Sequence, residues 1–253
     1  MEKEYEKAKL NILIVMVIMA LMTTFCFVFY TGVVNKNDLE VNTNLEFLGG
    51  SDTLSKRLQE TIPYVTLIDK NIKTAYQNTI TNINSIDNDV YLTKAYNYTQ
   101  STDIGQMMKI LSNLYGSSLF IVHKNFYVNG IDKCIYNDEL QNYECQTSNY
   151  KEKIYHTLRT VENLIIENDT YYLSENIIFY SIETINNIKH YTVYKDYKYE
   201  EEIDDFTNLD LEKENIKFDV FIKEKYKNNI NKYRSKFSLE NVNYIWNYTE
   251  RIV

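Results

Sequence analysis

Residues 10–34 read LNILIVMVIMALMTTFCFVFYTGVV, with no Asp, Glu, Lys or Arg among them. As a helix this run would extend roughly 37 Å, more than the ~30 Å hydrocarbon core of a bilayer. Fourteen of its 25 residues are Leu, Ile, Val or Phe. At about −0.3 to −0.6 kcal/mol each near the membrane centre, they favour insertion by on the order of 6 kcal/mol. Asn11 stands at the entrance, and Thr23, Thr24 and Thr31 can bond back to their own helix. The stretch therefore reads as a transmembrane helix, and the remaining chain is read outward from it.

A cleaved signal peptide would have a shorter apolar core and a small-residue cleavage site. Neither is present around Tyr30–Asn35, so the expectation is a retained signal anchor. The preceding residues 1–9 carry Lys3, Lys7 and Lys9, whereas the far flank offers Lys36 followed by Asp38, Glu40 and Glu46. Because basic residues near a span favour the cytoplasmic side, the N-terminus is expected inside and the rest extracytoplasmic. No second apolar run approaches 18 residues, which predicts a single-pass protein of the cell membrane.

The chain has 27 basic and 35 acidic residues, and its first nine residues carry three of each sign, so the whole net charge of −8 falls beyond the tail. Such a surface argues against nucleic acid as a partner and against docking on anionic lipid. One Pro, six Gly and 24 Tyr, with abundant Asn, Ile and Lys, match the codon bias of an AT-rich genome. That bias also explains the three Asn-x-Thr sequences at Asn97, Asn168 and Asn247 without invoking glycosylation.

Of three cysteines, Cys26 lies in the apolar span. Cys134 and Cys145 lie beyond it, in DKCIYNDELQNYECQ, which reads as two short strands about a turn near Asp138–Leu140. That geometry puts the two cysteines opposite each other and predicts a disulfide in an oxidising compartment. One Cys pair without nearby His supplies too few ligands for a metal.

After a polar linker ending in Gly49-Gly50, apolar residues recur at steps of three or four from Leu54 to Val90. The spacing predicts a long amphipathic helical stalk over 54–90, kinked or restarted at Pro63, and offers a seam for homo-oligomerisation. Ser101-Thr102-Asp103 opens another helix, with Ile104, Met107, Met108, Leu111 and Leu114 inward, ending near Gly116. Ser118–Val122 and Phe126–Val128 read as strands, the latter entering an Asn129-Gly130 hairpin turn. Ile154, Leu158, Val161 and Ile165 predict a helix over 150–167. Ile177–Ile185 and Ile188–Tyr194 predict strands about Asn186-Asn187. Alternation at Ile216, Phe218, Val220 and Ile222 predicts a strand paired through Asn228-Asn229 with a return strand through Tyr233, Phe237 and Leu239. Residues 200–215 read as a solvated acidic connector.

The expected fold is α+β: tail 1–9, anchor 10–34, linker and helical region 35–100, and an extracytoplasmic domain of antiparallel hairpins over 101–253. No catalytic, phosphate-binding or dinucleotide motif occurs, and His123, His156 and His190 show no ligand spacing. Asp204, Asp205, Asn208, Asp210 and Glu212 lack the spacing and central Gly of a calcium loop. No cofactor is therefore expected, and no enzymatic activity.

This plan is shared by subunits of pilus and secretion assemblies, which hold a folded head beside a membrane complex. The expectation is a non-catalytic scaffold or assembly subunit with other envelope proteins as partners. A pilin is not the expectation, because LNILIVMVIM follows no processing Gly and carries no acidic residue near its start. The long helix leading into SSLFIVHKNFYVNG (117–130) resembles the helix-then-sheet opening of bacterial PAS-like sensor domains. That resemblance implies a ligand-binding sensory head as the alternative.

Overall fold

A computed structural model describes residues 51–128, 132–147 and 153–252. In chain order they form α1 (Ser51–Thr61), β1 (Ile80–Asn82), α2 (Asn88–Thr99), α3 (Ile104–Tyr115), β2 (Phe126–Val128), β3 (Asp132–Asn137), β4 (Asn142–Gln146) and β5 (Ile154–Glu167). There follow β6 (Thr170–Ile185), β7 (Ile188–Tyr194), β8 (Glu202–Thr207), α4 (Asn208–Glu214), α5 (Phe218–Lys225), β9 (Asn231–Glu240) and β10 (Asn243–Ile252). The described residues belong to the unit Gly49–Val253, an α+β structure dominated by antiparallel sheet. The expected membrane span and cytoplasmic tail lie outside the described residues. Among those residues, no helix is long and apolar enough to cross a membrane.

The axis of the fold is β6, 16 residues long. One of its edges pairs with β5 from Thr170 to Ile182. Its other edge is shared: Thr170–Ile177 pairs with β9, and Phe179–Ile185 pairs with β7. The ladder then continues from β9 to β10 and β1 on one side, and from β7 to β8 on the other. Asn231 stitches the fork, its side-chain amide donating to the Lys195 carbonyl at 2.9 Å while its oxygen accepts from Arg251 at 2.6 Å.

Side chains alternate across a strand, so β6 serves two cores. Tyr171, Leu173, Ile177 and Phe179 pack with Tyr233 and Phe237 of β9 beneath residues of α1, α2 and α3. Ile178 and Tyr180, on the opposite face, join Tyr191, Val193 and Phe206 under Leu211 of α4 and Ile222 of α5. At about 25 cal/mol per Å² of apolar surface, these aromatic-rich layers supply the main driving force for folding.

Several expectations hold. α3 spans the residues expected, Asp103 caps it by accepting from the Gln106 amide, and Gly116 ends it at φ 81°. β6 and β7 meet at Asn186-Asn187, both left-handed, a conformation Asn tolerates better than most residues. β2 and β3 pair as a hairpin, although the Asn129-Gly130 turn lies outside the described residues.

Others are corrected. The stalk over 54–90 is not one helix: α1 stops at Thr61, before Pro63. Proline lacks an amide donor and disfavours helical geometry in the residue before it. Residues 62–79 instead form a folded loop closed by Ala75 N–H donating to the Pro63 carbonyl. Ile62, Val65 and Tyr76 of the expected apolar stripe are still buried without a helix, and Leu67, which lies off that stripe, is buried as well. The oligomer seam expected on that helix has no such helix to stand on, and Ser118–Val122 is not a strand. Within 117–130 the strand is confined to Phe126–Val128, and it follows α3 rather than one long helix.

Residues 154–167 are strand β5 rather than a helix. A β-bulge between Val161 and Asn163 shifts the register, so successive residues on one face run Arg159, Val161, Leu164, Ile166. The extra residue carries Ile165 to the face of Ile154 and Leu158, a spacing a helix would also give, while Val161 lies on the other face. Residues 218–225 are helix α5 rather than a strand. Its buried side is Phe218, Phe221 and Ile222, while Val220 is exposed. The acidic segment is β8 followed by α4, with Asp210 accepting from the Thr207 amide at 2.9 Å to cap the helix.

Candidate functional site

Two arrangements stand out, one buried and one open. The buried one begins with Glu175, which β6 turns into the main core and which is wholly inaccessible. A carboxylate there is tolerated only if paired and hydrogen-bonded. Arg159 of β5 donates to it through Nε at 3.1 Å, Gln59 of α1 through Nε2 at 2.7 Å, and Tyr76 through its hydroxyl at 2.6 Å. Arg159 also donates to the Gln59 carbonyl at 2.8 Å and lies over the Tyr64 and Tyr76 rings. Burial opposes its charge, but Glu175 and the two phenols outweigh that effect and hold the guanidinium above its usual range. Burial likewise pushes the Tyr76 phenol well up. Half-buried Lys94 of α2 is pushed down to about 7, by burial first and then by the Arg159 charge, against the pull of Glu60 and Glu175. With every Glu175 donor coming from the protein itself, this cluster fastens α1 and the 62–79 loop to the sheet.

The open arrangement lies on the other side of β6, where α4 and α5 cover only the β7–β8 half. Directly paired residues share a face, so the ladders give the surface row by row. One row across five strands is Ile165, Tyr172, Lys236, Tyr248 and Asn82. The next is Asn163, Ser174, Arg234, Glu250 and Ile80. At about 4.8 Å per strand this face is roughly 19 Å wide. Arg234 lies over the Tyr172 ring, Lys236 over the Tyr248 ring, and Arg234 donates to Glu250 at 2.6 and 2.8 Å. Lys232 pairs with Glu162 beside them. Ile80, 61% exposed, and Ile165, 41% exposed, form an apolar margin. Tyrosine and arginine on a flat surface with apolar flanks are the side chains that anchor protein interfaces.

Of the residues singled out in the sequence, Cys134 and Cys145 face each other across β3 and β4, with Cα atoms 4.0 Å apart and sulfurs 1.93 Å apart. The Tyr143 amide donates away from β3 to the Thr102 carbonyl, so Cys145, two residues on, occupies a non-hydrogen-bonded pair, where side chains approach most closely. The histidines stay apart. His123 meets the Tyr143 hydroxyl at 2.8 Å, His156 stacks on Tyr180, and His190 stands on β7 opposite Glu183 and Thr207. The acidic side chains are engaged separately: Asp204 with Tyr226 and Lys225, Asp210 with Thr207, Glu212 with Asn208. Among the described residues, no three His, Cys, Asp or Glu side chains gather as metal ligands.

Sequence reading missed both arrangements. Gln59, Tyr76, Arg159 and Glu175 are far apart in the chain and match no motif. The alternation of Lys232, Arg234 and Lys236 against buried Tyr233, Ser235 and Phe237 was the available signal for the open face. Compared with protein-family models, curated proteins and solved structures, the chain has no match.

Proposed function

We propose that this chain is a non-catalytic assembly subunit of a cell-envelope complex. Residues 10–34 anchor it in the membrane with its N-terminus in the cytoplasm, and the unit from Gly49 onward works as an extracytoplasmic head. The observation that carries this reading is the open five-stranded face, which sets Tyr172, Arg234 and Tyr248 in adjacent rows with an apolar margin. The Cys134–Cys145 pair supports the compartment, since disulfides persist in oxidising surroundings.

The reading is tested with the full chain in sealed cells, carrying a photo-crosslinking amino acid at Tyr172 or Tyr248. Adducts to another envelope protein are expected from both positions, and none from Lys213 on α4. Equal labelling from all three positions, or none from the open face, defeats it. Protease added outside should digest the head, and a C-terminal reporter active only in the cytoplasm would overturn the orientation.

A further inference from the structure

The geometry points to a second copy of this chain docking on the free edge of β5, so that two open faces join into one continuous sheet. Among the described residues, β5 pairs only with β6, apart from a bridge to Leu67 at Tyr155 and the Thr157 amide donating to Tyr64. Glu167 and Thr170 close a two-residue hairpin around Asn168-Asp169, both left-handed, so the Glu167 and Ile165 amides point into β6. Leu164 and Ile166 therefore direct their N–H and C=O groups outward from the sheet. Ile166 is 55% exposed. An exposed apolar edge with unpaired backbone groups is a template for another strand.

Self-complementarity selects a second copy as the occupant. In an antiparallel pair about a two-fold axis at Ile165, Leu164 lies opposite Ile166 of the other copy and exchanges both hydrogen bonds with it. Ile165 meets its own counterpart in a non-hydrogen-bonded pair, and Asn163 faces Glu167, so no like charges oppose each other. Moving the axis to Leu164 puts Ile166 across from Glu162, and moving it to Ile166 puts Ile165 across from Glu167. Both alternatives set a carboxylate against an isoleucine. The bulge at Glu162 ends the pairing stretch on its other side. Ile165 also begins the row that continues through Tyr172, Lys236 and Tyr248, so the pairing extends that surface across both copies. This inference stands apart from the assembly reading, which concerns a different protein on the open face.

The test is disulfide cross-linking of the full chain in membranes, with Ile165→Cys added to the native cysteines. Under mild oxidant, a dimer band on non-reducing electrophoresis is expected several-fold above that of the parent chain. Adding Ile166→Lys should return it to the parent level, and Lys213→Cys should not exceed that level. Cross-linking no greater than the parent's, cross-linking to a different protein, or a band unchanged by Ile166→Lys would overturn the proposal. Resistance of the head to limited proteolysis equal to that of the parent chain shows that each variant is folded.

Discussion

Arg159 Nη2 lies 3.0 Å from Glu175 Oε1, and the carboxylate it meets has no exposure to solvent. Taking both charges out of water is costly, so the pair persists through its additional bonds to Gln59 and Tyr76. Its effect is positional: a helix, a loop and two strands that are distant in sequence converge on one oxygen pair.

Removing one partner should therefore hurt more than removing both. Arg159→Met leaves a buried charge uncompensated and should destabilise the head by about 3–5 kcal/mol. The double variant Arg159→Met/Glu175→Leu should recover part of that loss. Denaturant titrations of both single variants and the double variant give the coupling energy directly.

His156 predicts a pH dependence. It stacks 5.2 Å from the Tyr180 ring, and burial lowers its pKa from 6.5 to about 4. Between those values the unfolded chain takes up a proton that the folded chain refuses. The stabilising contribution is thus complete above about 6.5 and is lost as pH falls toward about 4. His156→Phe should remove this component, so the difference in melting temperature between wild type and variant should change across that window and level off above it.

The disulfide ties β3 to β4 at the buried Cys134. Cys134→Ser/Cys145→Ser should still fold, because the main core lies in the larger sheet and its helices, with a loss of about 2–3 kcal/mol. Thermal unfolding measures the loss. Two free thiols in native protein purified without reductant and then denatured would show that the bridge is not formed.

Asp169 sits in the β5–β6 turn at φ 59°, a conformation that costs a residue with a Cβ about 1–2 kcal/mol. Asp169→Gly should stabilise the hairpin, by less than that cost because glycine also loosens the unfolded chain. A higher denaturant midpoint at unchanged slope is the expected result.

Local chemistry was legible where it acts over a few residues. The Asp103 cap and Gly116 stop bound α3, Asn186-Asn187 turns β6 into β7, and the spacing around Asp138–Leu140 brings Cys134 to Cys145. Apolar periodicity misled where a local irregularity changed its step. The bulge at Glu162 set Ile165 on the face of Ile154 and Leu158 at helix-like steps, and the alternation of Phe218, Val220 and Ile222 concealed α5. In the loop after Pro63, Val65, Leu67, Ala75 and Tyr76 reach the core at irregular intervals without forming a helix.

The sequence by itself determined an apolar span, an acidic chain beyond it and a set of short-range turns and caps, because each depends on neighbouring residues alone. Only the tertiary structure decided that β6 would divide one edge between β9 and β7, and that Glu175 would meet Arg159, Gln59 and Tyr76. It also decided that Lys232, Arg234 and Lys236 would line an uncovered face. Those outcomes depend on which strands pair and in what register. Register is set by burying one face of every strand at once, a condition that no single segment carries.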